Sequence, residues 1–231
     1  MPHTAPTPPG APLTPVPVAV LLPPPDPARR ATPRRGQPPD WCGLTPRTAC
    51  QMIATYTRAR DVVIDLDRNA TVNDAARRLE RRPANLLTDR YGTSGRRPGP
   101  RLPLGGEAGA GLIVARLPRP GAYTLDLHGL TASMRIWRAA LRPGGYLLAA
   151  LTVSDWGGNH ASTVITAARA AGLLYHQHLI ALRVPLPEHE PRAEPDTAAT
   201  TTPQLVDGRH APTHTNLLVF ATPGGQEASD A

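Results

Sequence analysis

The chain has 231 residues, a formal net charge of +7, and 40% hydrophobic but only 4% aromatic residues. This length fits one domain with tails, and the core must come from Ala, Leu, Val and Ile, because the sequence holds a single Phe, Phe220. No apolar run approaches the roughly 20 residues of a membrane span, and the two cysteines, Cys42 and Cys50, form no CxxC pair, which excludes a disulfide scaffold and a structural zinc module of the usual spacing.

The beginning of the chain shows no basic segment followed by a long apolar one; residues 16–22 (VPVAVLL) are short and hemmed by prolines. A cytoplasmic protein without a membrane segment is the expectation. Every basic side chain is Arg. That excess has two readings: a surface for phosphates, nucleic acid first, or a GC-rich genome enriching Arg, Ala, Pro and Gly together.

Fourteen of the 29 prolines fall in residues 1–40. Proline blocks helix and sheet hydrogen bonding, so this segment is expected to be a disordered tail. Arg29, Arg30, Arg34 and Arg35 make it basic near its end. Order is expected from Trp41 to residue 221, with loops over 91–111 and 187–212 and a polar tail over 222–231. The first helix is predicted over 44–58, with Thr45 as N-cap and Pro46 at the first helical position. DVVIDL (61–66) has the β-branched character of a strand buried on both faces. A helix over 71–82 and a strand over 84–89 (ANLLTD) complete a βαβ unit. Strands follow over 112–117, 146–153, 173–186 and 213–221. Helices are expected over 130–145, stopped by Pro143 and the Gly pair, and over 160–172, stopped by Gly172. Alternating strands and helices imply an α/β sheet covered on both faces. The last two strands, joined without a helix, imply an antiparallel pair at one edge.

This order, with DVVIDLD, the LTD ending in Asp89, LRPGGYLLAAL and HTNLLVF, resembles a class I S-adenosylmethionine-dependent methyltransferase, and in particular the bacterial DNA amino-methyltransferases. The resemblance spans about 180 residues. It implies a Rossmann-like, mostly parallel sheet with an antiparallel C-terminal edge strand. Residues 89–112 are short for a full helix-strand-helix, so one strand is expected to be lacking. It also implies S-adenosylmethionine as cofactor, held by Asp65, Asp67, Asn69 and Thr71 after the first strand and by Ala115 and Arg116 after the fourth. Asp89, 24 residues beyond Asp65, would accept hydrogen bonds from the ribose, as acidic residues do in other Rossmann-like folds.

Two places depart from the family pattern. The loop from Asp65 to Thr71 has no Gly, although Gly lets backbone approach a ligand and adopts positive φ cheaply. Asn69 is the residue there best able to take a left-handed conformation; a plain capped turn is the other reading. After the fourth strand, Ala115-Arg116-Leu117-Pro118-Arg119-Pro120 offers no acid, amide or aromatic, whereas nucleic-acid amino-methyltransferases hold the target amine and the flipped base there. Asp126 and His128 are the nearest candidates for an acceptor or base, the alternative being helix-approach polarity. His176 and His178 would share a strand face, a geometry that suits metal, but a third ligand is missing from the pattern and no metal is assigned.

Three functions remain open. One is a methyltransferase acting on DNA, other nucleic acid or a small acceptor. A second is an inactive module of the same fold that binds nucleic acid or a protein partner. A third, a different nucleotide binder, is disfavoured by the absence of a GxGxxG or P-loop.

Overall fold

A computed structural model describes residues 16–22, 41–84, 109–119, 125–152, 160–182, 205–206, 209–210 and 214–224. Its elements in chain order are β1 (Val18–Leu21), α1 (Pro46–Tyr56), β2 (Val62–Asp65), α2 (Ala70–Arg78), β3 (Arg82–Ala84), β4 (Ala110–Leu117), α3 (Leu127–Ala140), β5 (Leu141–Leu151), α4 (His160–Ala170), β6 (Leu174–Leu182), β7 (Leu205–Val206), β8 (Arg209–His210) and β9 (His214–Ala221). Seven strands form one sheet in the order β1-β6-β9-β5-β4-β2-β3. All neighbours are parallel except β9, which runs antiparallel to both β5 and β6. The expected antiparallel C-terminal strand is therefore present. It lies between β5 and β6, with β1 outside them, so it is not itself at the margin.

The apolar runs behave as strands buried on both faces. Val62 and Ile64 of β2, and Ile113, Ala115 and Leu117 of β4, pack with Met134 and Trp137 of α3 and Val164 of α4. Their alternates Val63, Leu112 and Val114 pack on the opposite face with Met52 and Ile53 of α1 and Val72 of α2. Phe220 on β9 is fully buried in the first of these cores.

The helix ends follow local chemistry. The Thr45 hydroxyl accepts from Thr48 N at 3.2 Å, and Pro46 opens α1 as expected. At the end of α4, Gly172 takes φ +81, while its N–H reaches the Arg169 carbonyl and Leu173 N–H reaches Ala168, a Schellman closure. Glu80 closes α2 in the same way at φ +59, without glycine.

Four differences from the sequence reading have physical causes. Within residues 1–40, Val18–Leu21 form a strand parallel to β6, with Leu21 buried, so the tail reading fails for that stretch; pairing along β6 satisfies backbone that the flanking prolines cannot. The third helix starts three residues earlier than expected and ends at Ala140, because Leu141 already pairs with Ala110. The strand expected over 84–89 begins at Arg82, whose N–H donates to the Asp61 carbonyl; residues 85–90 lie outside the described ones, and among the described residues the sheet ends on that side at β3. Leu205–Val206 and Arg209–His210 pair antiparallel inside the segment expected to be loop.

The LRPGG segment is the first part of β5. The Thr222 hydroxyl binds the carbonyls of Arg142 and Gly145 and accepts from Gly145 N at 2.9 Å. A Cβ at Gly145 would lie 2.9 Å from the carbonyl oxygens of Ala110 and Arg142, both backbone. Gly145→Ala is therefore expected to destabilise by about 2 kcal/mol through forced backbone displacement. An unchanged urea midpoint would contradict this.

Candidate functional site

The chain leaves β2 toward β3 on one side, whereas β4 leads to β5 on the other. The strand order thus reverses between β2 and β4. In open α/β sheets ligands bind in the crevice at the carboxyl ends of the strands flanking such a reversal. At that place β2 ends in Asp65, and β4 ends at Leu117 before a cis Leu117–Pro118 bond and Arg119.

Asp65 is 1% exposed. One carboxylate oxygen accepts from Asp67 N at 2.9 Å and the other from Asn69 N at 2.5 Å. The side chain thereby folds the turn over itself. Burial pushes its pKa up to about 6; the two backbone donors pull it down, Asp67 adds a repulsive push, and Arg119 a further pull downward. The left-handed residue in this turn is Arg68, at φ +54, whereas Asn69 has φ −82. The expectation that Asn69 supplies the left-handed conformation is corrected here. Asn69 is needed as N-cap of α2, accepting from Thr71 N at 2.8 Å, and a cap has extended dihedrals.

Asp67 is the centre of a second network. Its Oδ2 accepts from the buried Trp41 Nε1 at 2.9 Å and from Arg116 N at 2.7 Å, and its Oδ1 from the Arg119 guanidinium at 2.6 Å. The other Arg119 nitrogen reaches the Leu66 carbonyl at 2.6 Å. The Asp67 side chain is 6% exposed and that of Arg119 37%. Arg119 therefore ties the loop after β4 to the loop after β2 at the switch point.

The sequence-expected residues divide clearly. Asp65, Asp67, Asn69, Thr71 and the Arg116 backbone converge at the switch point. Ala115 belongs to the same strand end but is fully buried in the core on the α3–α4 side. Asp89 lies outside the described residues. Asp126 is the N-cap of α3, accepting from His128 N at 3.3 Å and Gly129 N at 2.6 Å, and His128 is an exposed first-turn residue. His176 and His178 do not share a face. A bulge between Tyr175 and Gln177 turns His176 against the Tyr146 ring, at 5.3 Å, while His178 meets Asn216 on the other side. Among the described residues no group of three His, Cys, Asp or Glu could hold a metal, and no helix is long and apolar enough to cross a membrane.

Two participants were not singled out from sequence, Trp41 and Arg119. The available signal was an unpaired Asp in the first loop and an Arg just beyond the neighbouring strand, which are natural partners once the strands are adjacent.

The fit to an adenosyl cofactor rests on one polar atom in particular. The Thr71 hydroxyl, in the first turn of α2, is buried and has no hydrogen-bond partner among the described residues. Native buried hydroxyls are nearly always satisfied, so a polar ligand group there would complete it. The amides of Asp67, Asn69 and Thr71 are already engaged by side chains of the turn.

No protein-family model and no curated protein sequence matches the chain. Similar solved structures include a methyltransferase from Pyrococcus furiosus, 11% identical, covering 78% of this chain and 84% of that one at a TM-score of 0.41. Another is the 1,6-didemethyltoxoflavin-N1-methyltransferase of Burkholderia thailandensis with bound S-adenosylhomocysteine, 16% identical, with coverage of 77% and 78% and a TM-score of 0.44. A third is a candidate DNA modification methylase from Thermus thermophilus, 18% identical, where the match covers 54% of this chain, about half (49%) of that chain's length, at a TM-score of 0.34.

Proposed function

We propose that the crevice between β2 and β4 binds S-adenosylmethionine and that the chain is a methyltransferase, with nucleic acid as the first acceptor class to test. The observation that carries this reading is the strand order, which sets Asp65, Asp67 and the start of α2 at the reversal point of a mostly parallel sheet with an antiparallel C-terminal strand. The turn from Asp65 to Thr71 and the backbone of Arg116 would hold the cofactor, with the unpartnered Thr71 hydroxyl as its polar anchor. The bound cofactor supplies an electrophilic methyl group. The protein's part is to align an acceptor with it and exclude water, which requires little acid–base chemistry. Calorimetric titration with S-adenosylmethionine is expected to give saturable heat below millimolar ligand. An absence of heat at millimolar ligand removes the reading.

One observation favours a second reading, an inactive module of the same fold. The Asp67–Arg119 pair ties the two loops at the switch point, and the stretch after β4 presents an arginine where an acceptor for a target amine would be needed. Arginine has no lone pair to accept that proton. On this reading nucleic-acid binding is salt-sensitive and indifferent to S-adenosylmethionine.

A further inference from the structure

We infer that the amino edge of the sheet, opposite the crevice, is a docking surface for the phosphate backbone of duplex nucleic acid. The four helices α1 to α4 run directly into β2, β3, β5 and β6, so all four C-terminal ends gather at the edge where those strands begin. Arginines collect there. Arg58 and Arg60 precede β2, Arg82 opens β3, Arg142 lies at the start of β5, and Arg138 and Arg169 end α3 and α4. All but Arg142 are exposed.

Short polar contacts join the four at the starts of β2, β3 and β5. Arg82 Nε donates to the Arg60 carbonyl at 3.1 Å, and Arg142 bonds the Asp61 carboxylate at 3.0 Å, which also accepts from Arg58 N at 2.8 Å. The Arg138 guanidinium lies beside Gly172, the residue that follows α4. Of the acids on this edge, Asp61 is occupied by Arg142, and Glu80 remains on the outside.

Two simpler accounts leave a remainder. Cations at helix C-termini complement the helix dipole, which accounts for Arg138 and Arg169 but not for Arg58, Arg60, Arg82 and Arg142, which lie in turns and at strand starts. A genomic excess of Arg would spread over both edges. Among the described residues, however, the carboxyl edge sets Arg47, Arg68, Arg116 and Arg119 against three acids, Asp65, Asp67 and Asp126, whereas the amino edge sets the six arginines above against two, Asp61 and Glu80. The amino edge also exposes no aromatic ring: each described Trp, Tyr and Phe is at least partly buried. A surface that binds single strands by stacking needs such rings; one that tracks a duplex backbone needs only the positive charges. The inference stands whether or not the crevice takes a cofactor.

The test is fluorescence anisotropy with a labelled random-sequence DNA duplex of about 20 base pairs, titrated between roughly 50 and 200 mM salt. The wild type is expected to bind with a steep negative salt dependence, equally with and without S-adenosylmethionine. The double variant Arg82→Ala/Arg169→Ala should bind about tenfold more weakly and lower the slope of log K against log salt by about 2. The variant Arg47→Ala removes one exposed charge from the carboxyl edge, outside the turn proposed to hold the cofactor, and should bind as wild type. Absence of binding at the low-salt end of the titration, or a loss per removed charge in Arg47→Ala equal to that in the amino-edge double variant, overturns the proposal. So does binding to phosphatidylserine vesicles without binding to the duplex, which would assign the amino edge to a membrane surface.

Discussion

Relative to the wild type, the Asp65→Asn variant is expected to gain about 3 kcal/mol of stability between about pH 4 and pH 7. The Asp65 carboxyl is raised from 3.8 to about 6, with burial the largest cause. The sign follows from linkage. A carboxyl whose folded pKa lies above its unfolded value favours the folded state while protonated, so its contribution is complete below about pH 4 and is lost as pH rises through about 6. The two backbone donors from Asp67 and Asn69 offset only part of the desolvation cost. Asparagine cannot ionise, so its stability lacks this particular decline. The difference between the two proteins, taken from urea unfolding at a series of pH values, isolates the group from every other titration. A difference independent of pH would show that Asp65 ionises in the fold as freely as in the unfolded chain. A slope of the opposite sign would mean that the two N–H donors outweigh burial.

The layers were legible in the sequence because their cause is local. DVVIDL and LIVARL are apolar without alternation, and strands covered by helices on both faces require that. Thr45-Pro46 marks a helix start by chemistry that acts within one turn. What escaped depended on pairing between distant segments. The strand at Val18–Leu21 sits among prolines, and only the free side of β6 makes it a strand. Leu141 belongs to β5 rather than α3 because Ala110 pairs with it. The site shows the same division. Asp65 and the capping role open to Asn69 could be read from the strand-to-helix transition. The left-handed residue could not, since Arg68 and Asn69 can each take that conformation and the choice was made by the Asn69 cap. Asp126 and His128 were drawn in as chemistry, while Asp126 binds the amides of its own helix. Trp41 and Arg119 became visible only when β2 and β4 were side by side, because their shared partner, Asp67, is 26 residues from one and 52 from the other.

Asp67→Ala is expected to cost about 3 kcal/mol, and Arg119→Ala about 1 kcal/mol. The asymmetry arises from what each deletion leaves behind. Removing the carboxylate strands the indole N–H of Trp41, which is 2% exposed, and the Arg116 amide, together with one side of the ion pair. An unsatisfied buried donor costs about 1–3 kcal/mol. Removing the guanidinium leaves Asp67 with two donors, and Arg119 was already more than a third exposed, so solvent screens much of its attraction. Equal losses in urea unfolding would mean that Trp41 and Arg116 contribute nothing through Asp67. The same pair of variants distinguishes the two readings of the crevice. Arg119 is fastened to Asp67 and to the Leu66 carbonyl, so it ties together the two loops between which the cofactor is proposed to lie. If the crevice is a working cofactor site whose ligand displaces that tie, Arg119→Ala should bind S-adenosylmethionine several-fold more tightly with little loss of stability. If the tie is the final state of a closed crevice in an inactive module, removing it leaves the calorimetric trace as flat as before, because the amides of Asp67, Asn69 and Thr71 stay committed to Asp65 and Asn69.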